Sequence, residues 1–318
     1  MRHRFHGWSW LPAIVIVGAL GLVFVGCSGK TGMPTGPLSS GSLEKGTVSP
    51  LDRSGTKPPD TADYCETYVP FASATFSHPR RIDNPWSPLV PGTQYALTGQ
   101  SNPGPGILPH EVVFTVTDVT KNINGIDCVA LWDRDFENGI LAEAELAFFA
   151  QDDAGNLWMM GEYPEQYDIT SGEFLGAPAT WIGGLDGAEP GTLMLADPLH
   201  GSGWYLQARV QSIRFLDCGR VYKTGQKDCV PIGCFNNVLI TDERGPIEQG
   251  SGHQRKSYAK GAGNIRVDFV GDKQGEVLLQ TRRGQLSAAD LAQARAEMAL
   301  NASARIAASD RILDARVF

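Results

Sequence analysis

The sequence predicts a mainly β fold: an antiparallel meander curled into an open or closed barrel, followed by a C-terminal α-helix. The 37 glycines and 20 prolines, set against 19% charged residues, are typical of a turn-rich β protein. Short strand-like segments recur at close spacing without long crossovers, which favours antiparallel pairing. From residue 285 onward the apolar residues recur instead at helical spacing.

Residues 1–27 have the composition of a lipoprotein signal peptide. Two early arginines precede an uncharged apolar run over residues 11–26, which is short for a membrane span. The run ends at Cys27 in a pattern that resembles the bacterial lipobox, and this resemblance implies lipidation of the cysteine. Phe24 is less usual than leucine at its position, so cleavage by the ordinary signal peptidase and an uncleaved anchor are the alternatives.

Residues 28–60 are rich in Gly, Ser, Thr, Pro and Lys and predict a flexible linker. The predicted partner of this end of the chain is a membrane, reached through lipid on Cys27. We therefore expect a cell-envelope protein anchored outside the cytoplasmic membrane, on the periplasmic face, the outer membrane or the cell surface. The net charge of −8 argues against nucleic acid as a partner.

Cysteine usage agrees with an oxidising compartment. Beyond the signal peptide the cysteines are Cys65, Cys128, Cys218, Cys229 and Cys234. Cys128 falls inside a predicted strand, so we expect it to be the buried free thiol. Cys218 and Cys229 bracket a segment that could fold as a small hairpin, which predicts a disulfide between them and leaves Cys65 to pair with Cys234. Metal binding by Cys229 and Cys234 is disfavoured, because no second cysteine pair or nearby histidine accompanies them.

A meander over residues 110–163 organises the predicted β-rich domain, residues 61–284. Asn124-Gly125 and Asn138-Gly139 are strong two-residue hairpin turns, and residues 152–155 form a longer polar turn. Counting outward from these turns gives a register. The predicted cross-strand partners are Arg134 and Glu143, Trp132 and Glu145, Phe149 and Trp158, and Glu145 and Glu162.

This register gives the meander one apolar face and one mixed face. The mixed face combines aromatic side chains with carboxylates and an arginine, and it is the candidate ligand-binding surface. Its candidate residues are Trp132, Arg134, Glu143, Glu145, Phe149, Trp158, Met160 and Glu162. A solvated outer face is the simpler interpretation, since single exposed apolar residues are common.

The segment after the β domain, residues 285–318, is predicted to be helical. Ser287 with Asp290 resembles a capping box. The apolar positions at helical spacing are Leu291, Ala294, Met298, Ala302 and Ile306. We expect this helix to pack against the sheet, with coverage of a barrel mouth or contact with a partner as the alternatives.

Four further segments carry a resemblance to a family of uncharacterised exported bacterial proteins and lipoproteins. They are NPWSPLVPGTQY, AQDDAGNLWMMGEY, GGLDGAEPGTLML and YAKGAG. Together they span roughly residues 80 to 270. The resemblance implies one β-rich exported domain, and it transfers no catalytic residue.

No nucleophile elbow, zinc signature, phosphate loop or dinucleotide fingerprint occurs in the chain. We therefore predict no catalytic residue, no metal and no cofactor, although an enzymatic role stays open. Residues 183–199 are expected to form a packed loop. The favoured function is a lipid-anchored module that binds a small or apolar ligand or a partner on the mixed face. A hydrolase using paired carboxylates and a structural envelope lipoprotein are the alternatives.

Overall fold

A computed structural model describes residue 65 and residues 69–102, 106–201, 203–245, 252–271 and 275–306, with side chains as far as residue 298. The predicted signal peptide, the linker and Cys27 lie outside these residues, and lipidation therefore stays a prediction. Within the described residues, no helix is long and apolar enough to cross a membrane.

Fourteen strands and one long helix make up the described fold. Strands β1 to β5 are Thr93–Ser101, Leu108–Ile123, Ile126–Glu137, Ile140–Gln151 and Leu157–Tyr167. Strands β6 to β9 are Phe174–Gly176, Trp181–Ile182, Glu189–Met194 and Tyr205–Val210. Strands β10 to β14 are Phe215–Val230, Gly233–Arg244, His253–Ala259, Gly263–Val270 and Val277–Gln285, and helix α1 is Ala288–Ile306.

Twelve of these strands close into an antiparallel barrel, which confirms the predicted fold class. The ring runs β4-β3-β2-β1-β14-β13-β12-β11-β10-β9-β8-β5, and pairing of β5 with β4 completes it. The short strands β7 and β6 pair with β5 beyond the end of β8. The predicted loop over residues 183–199 is wrong in part, because it contains β8 as a wall strand.

The two predicted hairpin turns of the meander are confirmed. Asn124 and Gly125 have φ of 53° and 82°, and Asn138 and Gly139 have φ of 50° and 79°. Two successive residues at positive φ give a turn whose twist matches that of the flanking strands. These turns place β2, β3 and β4 side by side in the wall.

The predicted register beyond the turns is wrong, because extra residues interrupt the ladders. Ala142 is an extra residue in β4, so Glu145 lies opposite Asp133 rather than Trp132. The turn before β5 is one residue longer than expected and Met160 is an extra residue in β5. A bulge places two residues against one and shifts every later pair. The observed pairs are Trp132 with Leu146, Arg134 with Ala144, Ala150 with Trp158, Ala147 with Glu162 and Glu145 with Pro164.

The barrel interior is apolar in one half. Its buried cluster draws residues from all twelve wall strands, for example Leu97 of β1, Phe149 of β4 and Phe215 of β10. The proline-rich segment before β1 packs Trp86 into the same cluster. Alternate residues of each strand point into the barrel. The inward-facing residues that are not part of this apolar cluster line the other half of the interior.

Helix α1 packs on the outside of the barrel wall, as predicted from its apolar positions. The structure describes these positions as far as Met298. The Ser287 hydroxyl donates to Asp290 Oδ2 at 2.7 Å and accepts from the Asp290 amide at 3.1 Å, which caps the first turn. Ala294 and Met298 are buried in an outer cluster that includes Trp132.

The predicted disulfide pairing is wrong, although Cys128 is free and buried as expected. Cys218 and Cys229 both lie in the continuous strand β10, where eleven residue steps of extended chain span up to roughly 36 Å. Cys229 instead bonds Cys234, its direct partner across the β10–β11 hairpin. Cys218 bonds Cys65, which ties the start of the domain to the outside of the wall.

Candidate functional site

The second half of the barrel interior is acidic. On β3, Asp133, Asp135 and Glu137 occupy alternate positions that continue the inward face of the strand. On β4, Glu145 lies directly opposite Asp133, and Glu143 lies directly opposite Asp135. All five carboxyl groups are buried. Two neighbouring inward-facing pairs of one ladder therefore set acid against acid inside the barrel.

Carboxyl groups from other wall strands join this interior cluster. They are Glu162 of β5, Asp217 of β10, Glu243 of β11 and Glu276, the residue before β14. The groups in the described part of the cluster that can carry positive charge are Lys256 of β12 and His110 of β2. Lys256 Nζ donates to Glu243 Oε2 at 2.5 Å. The carboxyl groups greatly outnumber these cations, so the cluster has a large negative charge when ionised.

Glu145 is at the centre of this imbalance. Its side chain has no solvent exposure, and neither carboxyl oxygen has a hydrogen-bonding partner among the described residues. Burial and then the charge of Asp133 raise the pKa of Glu145 well above its usual value, while Lys256 opposes the shift. A buried carboxylate without partners is costly, so the group favours either a proton or a nearby cation.

Glu162 has a similar environment with one added contact. Trp181 of β7 donates from Nε1 to Glu162 Oε2 at 2.8 Å, and Oε1 has no partner among the described residues. Burial and then the charge of Glu145 raise the pKa of Glu162. The two glutamates therefore repel each other when both are ionised, although they are not partners in the ladder.

His110 forms a compact group with acids at one corner of the cluster. Its Nε2 lies 2.7 Å from Asp135 Oδ1 and 3.9 Å from Glu137 Oε1, and its Nδ1 lies 3.7 Å from Glu276 Oε1. Burial alone would lower the pKa of His110, but the charges of these acids raise it to about 9. One donor atom each from His110, Asp135 and Glu137 falls within a mutual distance of 4.8 Å.

The outer face of the same strands carries a separate cleft of about 200 Å³ beneath α1. Trp132, Arg134, Tyr163, Glu165 and Met298 are among its lining residues. The Arg134 guanidinium lies 4.2 Å from the Trp132 ring centroid, and burial lowers its pKa. The lining combines aromatic and apolar side chains with Arg134, Glu165 and Glu297, so this cleft is less acidic than the barrel interior.

The predicted mixed face is therefore not one surface. Glu143, Glu145, Phe149 and Glu162 face the interior. Trp132 and Arg134 line the outer cleft, and Trp158 and Met160 are buried in the outer cluster. Trp158 donates from Nε1 to Asp152 Oδ2 at 2.8 Å and is covered by Phe71 and Phe76. The bulges in β4 and β5 and the longer turn between these strands cause this division, because each shifts the register by one residue and so reverses the face assigned to the residues beyond it.

Sequence reasoning missed His110, Asp133, Asp135 and Glu137 as candidate residues. A signal for them does exist, since three acids at alternate positions of one strand must share a face. The Asn138-Gly139 turn that follows these acids predicts a hairpin, and this segment is interpreted only as part of that hairpin. His110 also carries no local spacing motif, because its neighbours in space come from adjacent strands.

No family model and no curated protein matches the chain. Among solved structures, one similar chain is described as an exported protein with a YmcC-like fold from Bacteroides fragilis. The two share 14% identity over 63% of this chain and 99% of that one, with a TM-score of 0.35. Another, described as a lipoprotein from Parabacteroides distasonis, shares 10% identity over 62% and 97% of the two chains, with a TM-score of 0.33. At these TM-scores the likeness supports no transfer of function.

Proposed function

We propose that this chain is an exported, lipid-anchored protein whose barrel interior binds a small organic cation. The observation that carries the proposal is Glu145, a fully buried carboxyl group whose two oxygens lack partners among the described residues. Asp133, Glu143 and Glu162 each add an oxygen with no such partner. A protonated amine would offset this negative charge. It would also donate hydrogen bonds, which ionised carboxylates can only accept.

The spread of the carboxyl groups favours an organic cation over a metal ion around Glu145. Within the described residues, the compact group of ligand atoms is His110, Asp135 and Glu137, and Glu145 is outside it. A metal ion needs its ligands at about 2.0–2.6 Å. An amine with two or more charged nitrogens spans a longer distance and can reach several separated carboxylates.

Aromatic side chains beside the acids support the same ligand class. Tyr258 donates from its hydroxyl to Glu243 Oε1 at 3.3 Å, and burial and then the nearby charge of Glu243 raise the pKa of Tyr205. Trp181 reaches Glu162. Aromatic faces attract organic cations, and desolvation strengthens that attraction to about 2 kcal/mol.

Export and anchoring are supported by residues at the start of the chain and by its cysteines. The apolar run ending at Cys27 resembles a lipobox. The disulfides Cys65–Cys218 and Cys229–Cys234 require an oxidising compartment. Lipidation would keep the barrel at a membrane surface of the cell envelope, where it would meet ligands from outside the cytoplasm.

Binding of spermidine to the purified full chain tests the proposal. We expect isothermal titration at pH 7 to show saturable binding and Glu145→Gln to weaken it tenfold or more. A hydrogen bond to a charged group contributes about 1.5–3 kcal/mol, and about 1.4 kcal/mol corresponds to a factor of ten. Glu173→Gln is the matched control, since it removes the same charge from an exposed position. Equal binding by the two variants, or no binding of mono-, di- and polyamines by the parent, would contradict the proposal.

A carboxylate-dependent hydrolase is the second candidate, and the raised pKa values of Glu145 and Glu162 favour it. A general acid needs a pKa above that of an exposed carboxyl group. Chromogenic glycosides and esters would separate the two functions. Turnover that disappears in both Glu145→Gln and Glu162→Gln would favour hydrolysis, whereas amine binding without turnover would favour the binding protein.

A further inference from the structure

We propose that His110, Asp135 and Glu137 form a binding site for a divalent transition metal ion, with zinc as the best-matched ion. The site goes beyond amine binding, since its three residues are separate from Glu145 and from Asp133, Glu143 and Glu162, whose oxygens would hold the amine. Neighbouring strands supply the three ligands. His110 of β2 lies directly opposite Glu137 of β3, and Asp135 is the next inward residue of β3.

The distances between the donor atoms suit a small cation. Two ligand atoms that each lie about 2.0–2.2 Å from a tetrahedral zinc ion are roughly 3.3–3.6 Å apart. The Nε2 atom of His110 is 2.7 Å from Asp135 Oδ1 and 3.9 Å from Glu137 Oε1. Changes of less than an ångström in each side chain would bring all three donors to one ion.

A buried polar atom without a partner points independently to a ligand here. Glu137 Oε2 has no hydrogen-bonding partner among the described residues, and its side chain is 5% exposed. Such an atom is costly unless something in the site contacts it. Oε2 of Glu137 could therefore bind the same ion as Oε1.

Residues around the three ligands are arranged to orient them. Glu276 Oε1 lies 3.7 Å from His110 Nδ1, and Gln254 Nε2 donates to Glu276 Oε2 at 3.0 Å. A carboxylate near Nδ1 favours a proton on that nitrogen, which would leave Nε2 to bind a metal ion in place of its contact with Asp135. Ser101 donates from Oγ to Glu137 Oε1 at 2.6 Å and fixes the glutamate. Glu276 is therefore a positioning residue for the proposed ligand His110.

The ligand set matches zinc better than calcium or magnesium. One imidazole with two carboxylates is a nitrogen and oxygen set of the kind zinc takes, whereas calcium and magnesium prefer oxygen ligands alone. Three protein ligands leave a fourth tetrahedral position for a solvent molecule or a ligand. The simpler alternative is an ion pair between His110 and Asp135 that needs no metal, and it predicts no metal affinity.

Titration of the full chain with zinc distinguishes a zinc site from a simple ion pair between His110 and Asp135. The purified protein would be stripped with a chelator, and zinc binding measured by calorimetry and by elemental analysis. We expect one zinc ion per chain. His110→Gln and Glu137→Gln should each weaken binding by tenfold or more, and the positioning variant Glu276→Gln by about 10–100-fold. His200→Gln, an exposed histidine, is the matched control and should bind zinc like the parent.

Cobalt substitution reports directly on metal coordination, which would not change if His110 and Glu137 only stabilised the fold. A cobalt ion in this site should give visible absorption bands of tetrahedral coordination in the parent, and they should be lost in Glu137→Gln. Circular dichroism would establish that each variant is folded. If one of them does not fold, the same measurements would be made on Asp135→Asn. No zinc binding by the parent, or undiminished binding in folded His110→Gln, would overturn the site. Glu145→Gln should keep its zinc, so failure of amine binding and failure of this site are separate results.

Discussion

Asp133 and Glu145 are direct partners in the β3–β4 ladder, and both side chains are buried in the barrel interior, at 3% and 0% exposure. Like charges directly opposite each other destabilise a sheet. The fold therefore keeps an unfavourable pair inside a barrel whose other half is packed with apolar residues. Retaining such a pair is understandable if binding depends on it.

Glu145→Gln is expected to stabilise the protein near neutral pH. A carboxyl group whose pKa is raised on folding stabilises the fold in acid, and this contribution is lost as the pH rises above the unfolded value of about 4.3. Glutamine removes the ionisation, so the variant should exceed the parent by about 1–3 kcal/mol at pH 7.5. Urea denaturation at pH 7.5 and at pH 4 would measure the difference, which should vanish in acid.

Glu173→Gln is the control for this measurement, because the same substitution at an exposed site should leave the free energy of unfolding within about 0.5 kcal/mol. A Glu145 variant that is no more stable than the parent would contradict the electrostatic account. An equal gain at both pH values would point to packing instead of charge.

The two disulfides are expected to contribute unequally to stability. Cys65–Cys218 closes a loop with a sequence separation of 153, and Cys229–Cys234 closes one with a separation of 5. In the chain-entropy model, these loops correspond to about 5 and about 2 kcal/mol. Urea denaturation of the paired Cys→Ser variants would measure both.

Mass mapping without reduction checks the pairing itself. It should recover the two linked peptides and a Cys128 that resists alkylation until the chain unfolds, because the thiol is buried. A peptide joining Cys128 to any other cysteine would refute this arrangement.

Lipidation at Cys27 is expected because the apolar run before it ends in a lipobox-like pattern. Cells that express the full chain and are fed a fatty-acid analogue should label the protein, and Cys27→Ala should remove the label and release the protein from membranes. Cys128→Ala is the matched control and should stay labelled. Labelling that survives in Cys27→Ala would disprove the anchor.

Much of the fold could be predicted from local sequence because its turns depend on local chemistry. Asn138 and Gly139 adopt positive φ for reasons intrinsic to those residues, and the Ser287 cap needs only its own helix. The alternating apolar residues likewise identify the strands without reference to their partners.

The candidate site could not be predicted as reliably, because it depends on which residues lie opposite each other. Ala142 and Met160 are ordinary strand residues, and nothing in their local sequence marks them as extra residues in a ladder. Each one shifts the partner of every acid beyond it. The cysteine pairing failed for a related reason, since β10 continues through Gly225 instead of turning there.

Closure of the barrel also has a consequence for the timing of folding. The seam between β1 and β14 pairs Thr93 with Gln285, at a sequence separation of 192. Contacts between such distant residues form slowly, because a long loop must close before they stabilise anything. A chain that crosses a membrane N-terminus first would deliver β14 almost last. The barrel would then seal only after translocation is nearly complete, and its acidic interior would enclose whatever cations the outer compartment provides.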